Sequence, residues 1–201
     1  GPKDKAAARR ELGLDPSKET LLVTGASQGA SSINKMMITL VNLAQAQKAL
    51  RSWQVFHQCG DKEEQELRVA YQQAQVPAIV VPFCHTMGLA WSAATIAVSR
   101  AGAGSVAEAW ANATPTLFYP YPWHKDQHQK LNAEPLTRAG AALLLEDLID
   151  PPSNAKQLAG RLMMLMANDS HRQQMTENLK RSKPTDGAMA VANWLTERMK
   201  G

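Results

Sequence analysis

The sequence predicts an α/β domain built on a parallel β-sheet with helices on both faces. Short apolar, strand-like segments alternate with helix-like segments from residue 20 to residue 145. Two of the strand-like segments end in glycine-rich turns that lead directly into a helix. The chain has 201 residues, which is enough to bury a full core within one domain. Strands and helices that alternate in this way form parallel sheets that are doubly wound, with helices on each side.

Six strands and the helices between them follow one another along the chain. We predict the strands at residues 20–24, 53–57, 78–82, 95–99, 115–119 and 141–145. We predict helices at residues 32–50, 61–73, 87–94 and 127–138, and a further helix that starts at Ser105. In the first of these helices, Ile33, Met36, Met37 and Leu40 form one apolar stripe at helical spacing.

Local signals mark where several of these elements begin and end. Asp61 opens a charged, helix-like segment, and Pro77 leads into the third strand. Gly140 stands where the helix of residues 127–138 must stop. After Pro151 and Pro152 the chain becomes helical throughout, with predicted helices at residues 155–167, 171–181 and 187–199.

The two ends of the chain set the predicted domain organisation. We expect residues 1–10 to form an N-terminal tail and residues 11–201 to form a single domain. Gly1 and Pro2 match the scar that a protease leaves at an engineered boundary. On that interpretation the natural protein continues upstream of residue 1.

Composition and charge argue against several classes of function. The chain carries 22 basic and 18 acidic residues, a mild net charge of +4, without a block of like charges. This pattern does not favour a nucleic-acid partner. The two cysteines, Cys59 and Cys84, suggest a reducing compartment and no disulfide framework. The sequence shows neither a secretory signal nor an apolar run near the roughly 18 residues that a membrane span needs.

The two glycine-rich turns are the most informative feature of the sequence. One follows the strand that ends at Ser99 and reads Arg100-Ala101-Gly102-Ala103-Gly104-Ser105. The other follows Thr24 and reads Gly25-Ala26-Ser27-Gln28-Gly29-Ala30. Backbone N–H groups at a helix N-terminus bind anions, and the carboxyl ends of parallel strands face one crevice. The turns therefore predict a ligand with phosphates and a sugar, although each is also explained as a tight connection that needs glycine.

Two charged residues near the second turn have alternative explanations. Glu108 lies in the helix that follows and can bind sugar hydroxyls, but Ser105 and Glu108 also match a capping box. Arg100, which ends a buried strand, is either a cation positioned at the ligand or the partner of an acid within the fold.

Polar and apolar residues near other strand ends are further candidates. His124 and His128 have the spacing of half a zinc site, which we discount because no third ligand is evident. The segment of residues 124–129 is either a solvated loop capped by Asp126 or a hydrogen-bonding array for sugar hydroxyls. Phe83 and Cys84 are core residues by default, but a planar base can stack there. No Ser/His/Asp set, carboxylate pair or nucleophilic cysteine stands out.

Taken together, these motifs resemble the MurG family of N-acetylglucosaminyltransferases. The shared residues occur in the same order and at the same spacing: residues 25–30 with Asn34, residues 57–60, Pro82 with Phe83, residues 99–103 with Glu108, and residues 124–129 with Asn132. The resemblance runs from about residue 11 to the C-terminus and covers only the C-terminal half of that two-domain enzyme.

The resemblance implies a Rossmann-like domain, the C-terminal domain of a GT-B glycosyltransferase, which binds UDP-N-acetylglucosamine. It implies that Ser27, with Gln28 and Gly29, contacts the diphosphate together with the helix start at Gly102, Ala103, Gly104 and Ser105. It further implies that Phe83 packs on uracil, that the Cys84 backbone reads the edge of the base and that Glu108 binds the ribose. His128, Gln129 and Asn132 are implied to hold the N-acetylglucosamine. Asn34 belongs to the implied binding set, and Arg100 is implied to support the phosphate turn.

The resemblance also implies the reaction of the whole enzyme. It transfers N-acetylglucosamine with inversion to lipid I, forming lipid II in peptidoglycan synthesis, with no metal or other cofactor. The catalytic base, the lipid I site and the membrane association belong to the N-terminal domain, which places the whole enzyme on the cytoplasmic face of the bacterial inner membrane. We therefore expect no catalytic residue in this chain and no transfer by it alone. The alternatives are another GT-B donor subunit, a nucleotide-sugar epimerase and a non-catalytic nucleotide-sugar binding module.

Overall fold

A computed structural model describes residues 4–25, 30–123, 127–182 and 194–198. Its strands are β1 (Thr20–Thr24), β2 (Gln54–Gln58), β3 (Ala78–Val81), β4 (Ile96–Ser99), β5 (Thr116–Phe118) and β6 (Ala142–Leu144). These six strands form one sheet in the order β3-β2-β1-β4-β5-β6, and every pair is parallel. The predicted parallel sheet is confirmed, and each strand boundary lies within one residue of its prediction.

Helices connect the strands and close the chain. They are α1 (Lys5–Glu11), α2 (Ser31–Val41), α3 (Ala44–Leu50), α4 (Glu64–Gln73), α5 (Met87–Ala93), α6 (Ala103–Ala111), α7 (His128–Arg138), α8 (Pro151–Ala167) and α9 (Asp169–Arg181). Residues 194–198 are also helical, and the rest of the helix predicted at residues 187–199 lies outside the described residues. None of the described helices is both long enough and apolar enough to cross a membrane.

The helix predicted over residues 32–50 is two helices. Asn42 ends α2, and its side-chain amide donates to the Ile38 carbonyl oxygen at 2.9 Å. Leu43 then adopts an extended conformation, with φ −79° and ψ 117°, before α3 begins. The apolar stripe continues across the break, since Ala46 and Leu50 are also buried, so the hydrophobic pattern alone did not reveal it.

The expected N-terminal tail contains helix α1, which packs against α5. Ala8 is fully buried, and the nearly buried Arg9 donates to the Ala93 carbonyl oxygen at 3.1 Å and to Thr95 Oγ1 at 2.9 Å. Arg9 also pairs with Glu19 at 3.1 Å. The prediction of a tail was wrong for residues 5–10, because contacts to residues some 85 positions away hold this helix in place.

The two faces of the sheet build two separate apolar clusters. Alternate residues of β1 divide between them, with Leu21 and Val23 on one face and Leu22 on the other. The first cluster contains buried residues of α2, α3, α4 and α8, and the second contains those of α1, α5, α6 and α7. The candidate site lies at the carboxyl ends of the strands, between these two helical layers.

Candidate functional site

The carboxyl ends of β1 and β4 lie next to each other in the middle of the sheet. Thr24 is in register with Ser99, and the Arg100 N–H donates to the Thr24 carbonyl oxygen at 3.3 Å. The sequence order of the strands reverses between β1 and β4, and ligands bind at such switch points. The two glycine-rich turns therefore leave the sheet side by side. Residues 26–29, with the predicted ligands Ser27, Gln28 and Gly29, lie outside the described residues.

The turn after β4 leads into α6, so the N-terminus of this helix lies at the same edge of the sheet. Gly102 is the residue before the helix and makes no side-chain cap, and the first helical hydrogen bond runs from the Val106 N–H to the Gly102 carbonyl oxygen. The N–H groups of Ala103, Gly104 and Ser105 precede that bond and are the donors that a helix start offers to an anion. A Cβ added at Gly102 or Gly104 would meet nothing within 4 Å among the described residues. A ligand can therefore approach this backbone closely.

The capping box proposed for Ser105 and Glu108 is not formed. Helix α6 begins at Ala103, so Ser105 is already its third residue and does not occupy the capping position. Glu108 is instead half-buried beside α5. Burial raises the pKa of its carboxyl group, and the nearby indole N–H of Trp91 opposes the shift. The structure therefore rules out the capping box as the role of Glu108, and its binding to a sugar hydroxyl is a proposal.

Arg100 is bound within the fold. Its guanidinium is nearly buried and pairs with Asp147, with 2.8 Å between Arg100 Nη1 and Asp147 Oδ2. It also donates to the carbonyl oxygens of Tyr119 at 2.9 Å and Pro120 at 3.2 Å, and to Ser32 Oγ at 2.5 Å. Of the two alternatives, the pairing with an acid of the fold is the one observed.

Asp147 is a residue of this edge that the sequence did not single out. It follows β6, and its side chain is 1% exposed. Burial alone would raise its pKa, but hydrogen bonds from Ser32, the Ile149 N–H and Asn154, together with the charge of Arg100, hold the pKa below its usual value. An acid shortly after a predicted strand end is the signal that could have drawn attention to it.

Asn34 lies beneath the edge, in a buried hydrogen-bonded chain. Its amide nitrogen donates to the Cys59 carbonyl oxygen at 2.8 Å and to Glu63 Oε2 at 2.9 Å. Its Oδ1 lies 3.0 Å from His57 Nε2, so His57 carries its proton on Nε2, and Nδ1 accepts from the Tyr71 hydroxyl at 3.0 Å. Burial lowers the pKa of His57 to about 3, which keeps the ring neutral. Asn34 thus holds α2 against the end of β2.

The start of α7 lies beside the turn after β4. Asn132 donates its side-chain amide to the Ala101 carbonyl oxygen at 3.2 Å, and Gln129 Oε1 accepts from the Tyr121 N–H at 2.9 Å. His128 is exposed at the first position of the helix. His124, Lys125 and Asp126 lie outside the described residues, and the residue that precedes α7 is Gln127 rather than the predicted cap Asp126. Among the described residues, no group of three His, Cys, Asp or Glu side chains is placed to hold a metal ion.

Phe83 and Cys84 follow β3, at the carboxyl end of that strand. Phe83 is 51% exposed and makes an edge-to-face contact with His85, with ring centroids 4.8 Å apart. Cys84 is buried in the apolar cluster that also contains Ala101 and Val106. Phe83 therefore offers an exposed ring, whereas the Cys84 side chain serves the core.

Gln58 ties together the ends of three neighbouring strands. Its Oε1 accepts from Thr24 Oγ1 at 2.7 Å, and its Nε2 donates to the Pro82 carbonyl oxygen at 3.2 Å. The side chain of Gln58 thereby connects the carboxyl ends of β1, β2 and β3.

Comparisons with known proteins show the family to which this chain belongs. Residues 20–191 match the glycosyltransferase family 28 C-terminal domain. The chain belongs to this family. The resemblance to MurG seen in the sequence is confirmed by a 35% identical relative from Desulfotalea psychrophila. That protein is named UDP-N-acetylglucosamine--N-acetylmuramyl-(pentapeptide) pyrophosphoryl-undecaprenol N-acetylglucosamine transferase, and the match covers 89% of this chain and 48% of the relative.

Solved structures of family 28 and other GT-B glycosyltransferases share the fold. The MurG structure from Acinetobacter baumannii matches with a TM-score of 0.67 and 28% identity, over 91% of this chain and 49% of that one. WaaG, a glycosyltransferase involved in lipopolysaccharide biosynthesis, has a TM-score of 0.68 at 15% identity over 92% of this chain and 48% of its own, a likeness of fold alone. The predicted GT-B domain fold is confirmed. This family 28 domain spans about half the length of the curated relatives it matches.

Proposed function

We propose that this chain binds UDP-N-acetylglucosamine as the donor half of an inverting glycosyltransferase. The whole enzyme would transfer N-acetylglucosamine to lipid I and form lipid II in peptidoglycan synthesis. The observation that carries the proposal is the junction of β1 and β4, where two glycine-rich turns and the uncapped start of α6 share one edge with Glu108. The named relatives at 33–40% identity support the choice of donor and acceptor.

We assign the roles of the residues from the family resemblance, and the described residues lie on this edge where those roles require them. The diphosphate accepts hydrogen bonds from the turn at Ser27, Gln28 and Gly29 and from the N–H groups of residues 103–105. Glu108 accepts hydrogen bonds from the ribose hydroxyls. The exposed ring of Phe83 packs on uracil, and the backbone at Cys84 reads the edge of the base. His128, Gln129 and Asn132, at the start of α7, bind the N-acetylglucosamine.

In the proposed reaction, this site stabilises UDP as the leaving group. The acceptor hydroxyl attacks C1 of the sugar, the bond from C1 to the UDP oxygen breaks, and UDP leaves with the electron pair. Negative charge on the diphosphate grows during this step. Fixed N–H dipoles at the start of α6 stabilise that charge without having to reorient. The base that accepts the proton of the hydroxyl, the lipid acceptor site and the membrane contact belong to the other half of the enzyme.

Isothermal titration calorimetry of the 201-residue chain with UDP and with UDP-N-acetylglucosamine tests the proposal. We expect saturable binding of both ligands and weaker binding of CMP. Glu108→Ala should lower the affinity for UDP roughly 10- to 150-fold, because a carboxylate that accepts from two ribose hydroxyls contributes about 1.5 to 3 kcal/mol.

Glu66→Ala is the matched control, since Glu66 is an exposed acid in the first turn of α4. It should bind UDP as the wild type does. No saturable heat with either uridine ligand at millimolar concentration contradicts the proposal, as does an unchanged affinity in a folded Glu108→Ala variant.

A further inference from the structure

Arg100 joins both ends of the glycine-rich turn that follows β1. Its backbone N–H bonds to Thr24, the residue before the turn, at 3.3 Å. Its side-chain Nη2 bonds to the hydroxyl of Ser32, which lies in the first turn of α2, at 2.5 Å. Arg100 therefore connects Thr24 and Ser32, the residues that flank positions 25–31 in the sequence.

Asp147 holds this arginine and the serine together. Its Oδ2 accepts from Ser32 Oγ at 2.6 Å and lies 2.8 Å from Arg100 Nη1. Its Oδ1 accepts from the Ile149 N–H at 2.9 Å and from Asn154 Nδ2 at 2.8 Å. Asp147 thereby connects the loop after β6 to the start of α2 and to the turn after β4.

The charges of this pair are satisfied inside the protein. The side chains of Arg100 and Asp147 are 8% and 1% exposed, and Arg100 also donates to the carbonyl oxygens of Tyr119 and Pro120. Separating a buried pair leaves an uncompensated charge in the interior, which is strongly destabilising. The guanidinium is therefore poorly suited to bind a phosphate and well suited to hold the neighbouring segments in fixed positions.

We propose that Asp147 is a positioning residue for the diphosphate of the donor. It acts through Arg100 and Ser32, which set the spacing between the turn after β1 and the start of α6. The inference rests on the proposed function and adds to it a residue in the loop after β6 that does not touch the ligand. On this proposal, backbone N–H groups make the direct contacts to the phosphates. The charge of Arg100 is neutralised by Asp147 and does not contact them.

Binding of UDP and of uridine to the Asp147→Asn variant of the full 201-residue chain tests this proposal. The amide keeps one oxygen for Ile149 and Asn154 but presents a donor to Arg100 and Ser32, which are donors themselves. We expect the affinity for UDP to fall about tenfold while the affinity for uridine stays unchanged. A purely structural role would lower both affinities together, because the uridine site would be damaged as well.

Asp150→Asn is the matched control. Asp150 lies in the same loop and caps α8 through the Ser153 N–H at 2.9 Å, and asparagine caps equally well. It should leave both affinities at wild-type values. Ser32→Ala provides a second test that removes no charge, and we expect a fall in UDP affinity of about threefold with unchanged uridine binding.

The outcomes separate this inference from the proposed function. If wild-type protein binds no UDP, the proposed function fails and the inference fails with it. If the wild type binds UDP and the Asp147→Asn variant keeps the wild-type ratio of UDP to uridine affinity, only the inference is overturned. If Asp147→Asn does not fold, the same result with Ser32→Ala overturns the inference. Tighter UDP binding by Asp147→Asn also overturns it, since that result would mean that a released Arg100 contacts the phosphates.

Discussion

Asn34 and Arg100 show how a polar residue close to a ligand site can serve the fold beneath it. Both lie at the carboxyl edge of the sheet, where the sequence predicts ligand contacts. The side chain of Asn34 is bonded to residues 57, 59 and 63, and that of Arg100 to residues 32, 119, 120 and 147. Sequence position indicates which edge a residue occupies. It does not indicate the direction of the side chain, because the partners of these two lie up to 68 residues away.

The buried His57 makes the stability of the protein depend on pH. Burial lowers the pKa of His57 to about 3 in the folded state, whereas an unfolded histidine titrates near 6.5. Between these values the unfolded chain binds a proton that the folded chain excludes, so the free energy of unfolding falls as pH falls below 6.5. We expect a loss of about 2 kcal/mol between pH 7 and pH 5, measured by urea unfolding.

Two histidine variants identify the source of this dependence. His57→Gln should be less stable at pH 7, because it disrupts the bonds to Asn34 and Tyr71, and its stability should change less between pH 7 and pH 5. His171→Gln, in the first turn of α9, should keep the wild-type dependence. A wild-type free energy of unfolding that is constant from pH 7 to pH 5 contradicts this account of His57.

Helix ends were the least predictable parts of the elements. Helix α6 begins at Ala103, two residues before the predicted start, because the extended Gly102 rather than Ser105 precedes it. The break between α2 and α3 depends on the backbone of Leu43, whose apolar side chain fits the pattern of a continuous helix. Gly140, in contrast, marked the end of α7 correctly, since glycine is the residue that readily adopts the left-handed conformation found there.

Gly140, which follows α7, and Gly160, which lies within α8, should respond to alanine in opposite directions. Gly140 has φ +63°, and a Cβ there would lie 3.3 Å from the Asn178 side-chain amide, so Gly140→Ala should destabilise the protein by about 1 to 2 kcal/mol. Gly160 is exposed inside α8, with nothing within 4 Å of an added Cβ, so Gly160→Ala should stabilise it by about 0.5 to 1 kcal/mol. Urea unfolding of both variants measures the difference. Shifts of the same sign would show that the local conformation of these glycines does not control the response.

At the scale of the whole molecule, the strand order explains why the two turns meet. The sequence predicted a parallel sheet and six strands, and it placed both turns at carboxyl ends. It did not indicate that β1 and β4 are neighbours, because the strands between them in sequence, β2 and β3, pair on the other side of β1. The order of a sheet depends on contacts between distant segments, and the two apolar clusters supply those contacts.

Contacts between residues distant in sequence also explain why the sequence did not reveal Asp147 at the site or helix α1 in the fold. Asp147 reaches Arg100 across 47 residues, and helix α1 is fixed by Arg9 through contacts with residues 93 and 95. Neither partner is visible in a local pattern. Gly102 and Gly104, in contrast, lie at the start of a helix after β4, as the local sequence predicted.

A crystal structure of this chain with UDP bound is the most direct measurement of where the nucleotide lies. We expect diphosphate oxygens within about 3.2 Å of the backbone nitrogens of Ala103, Gly104 or Ser105, and ribose hydroxyls within the same distance of the Glu108 carboxylate. A nucleotide seated away from the junction of β1 and β4, or bound there without contact to the start of α6, would contradict the account.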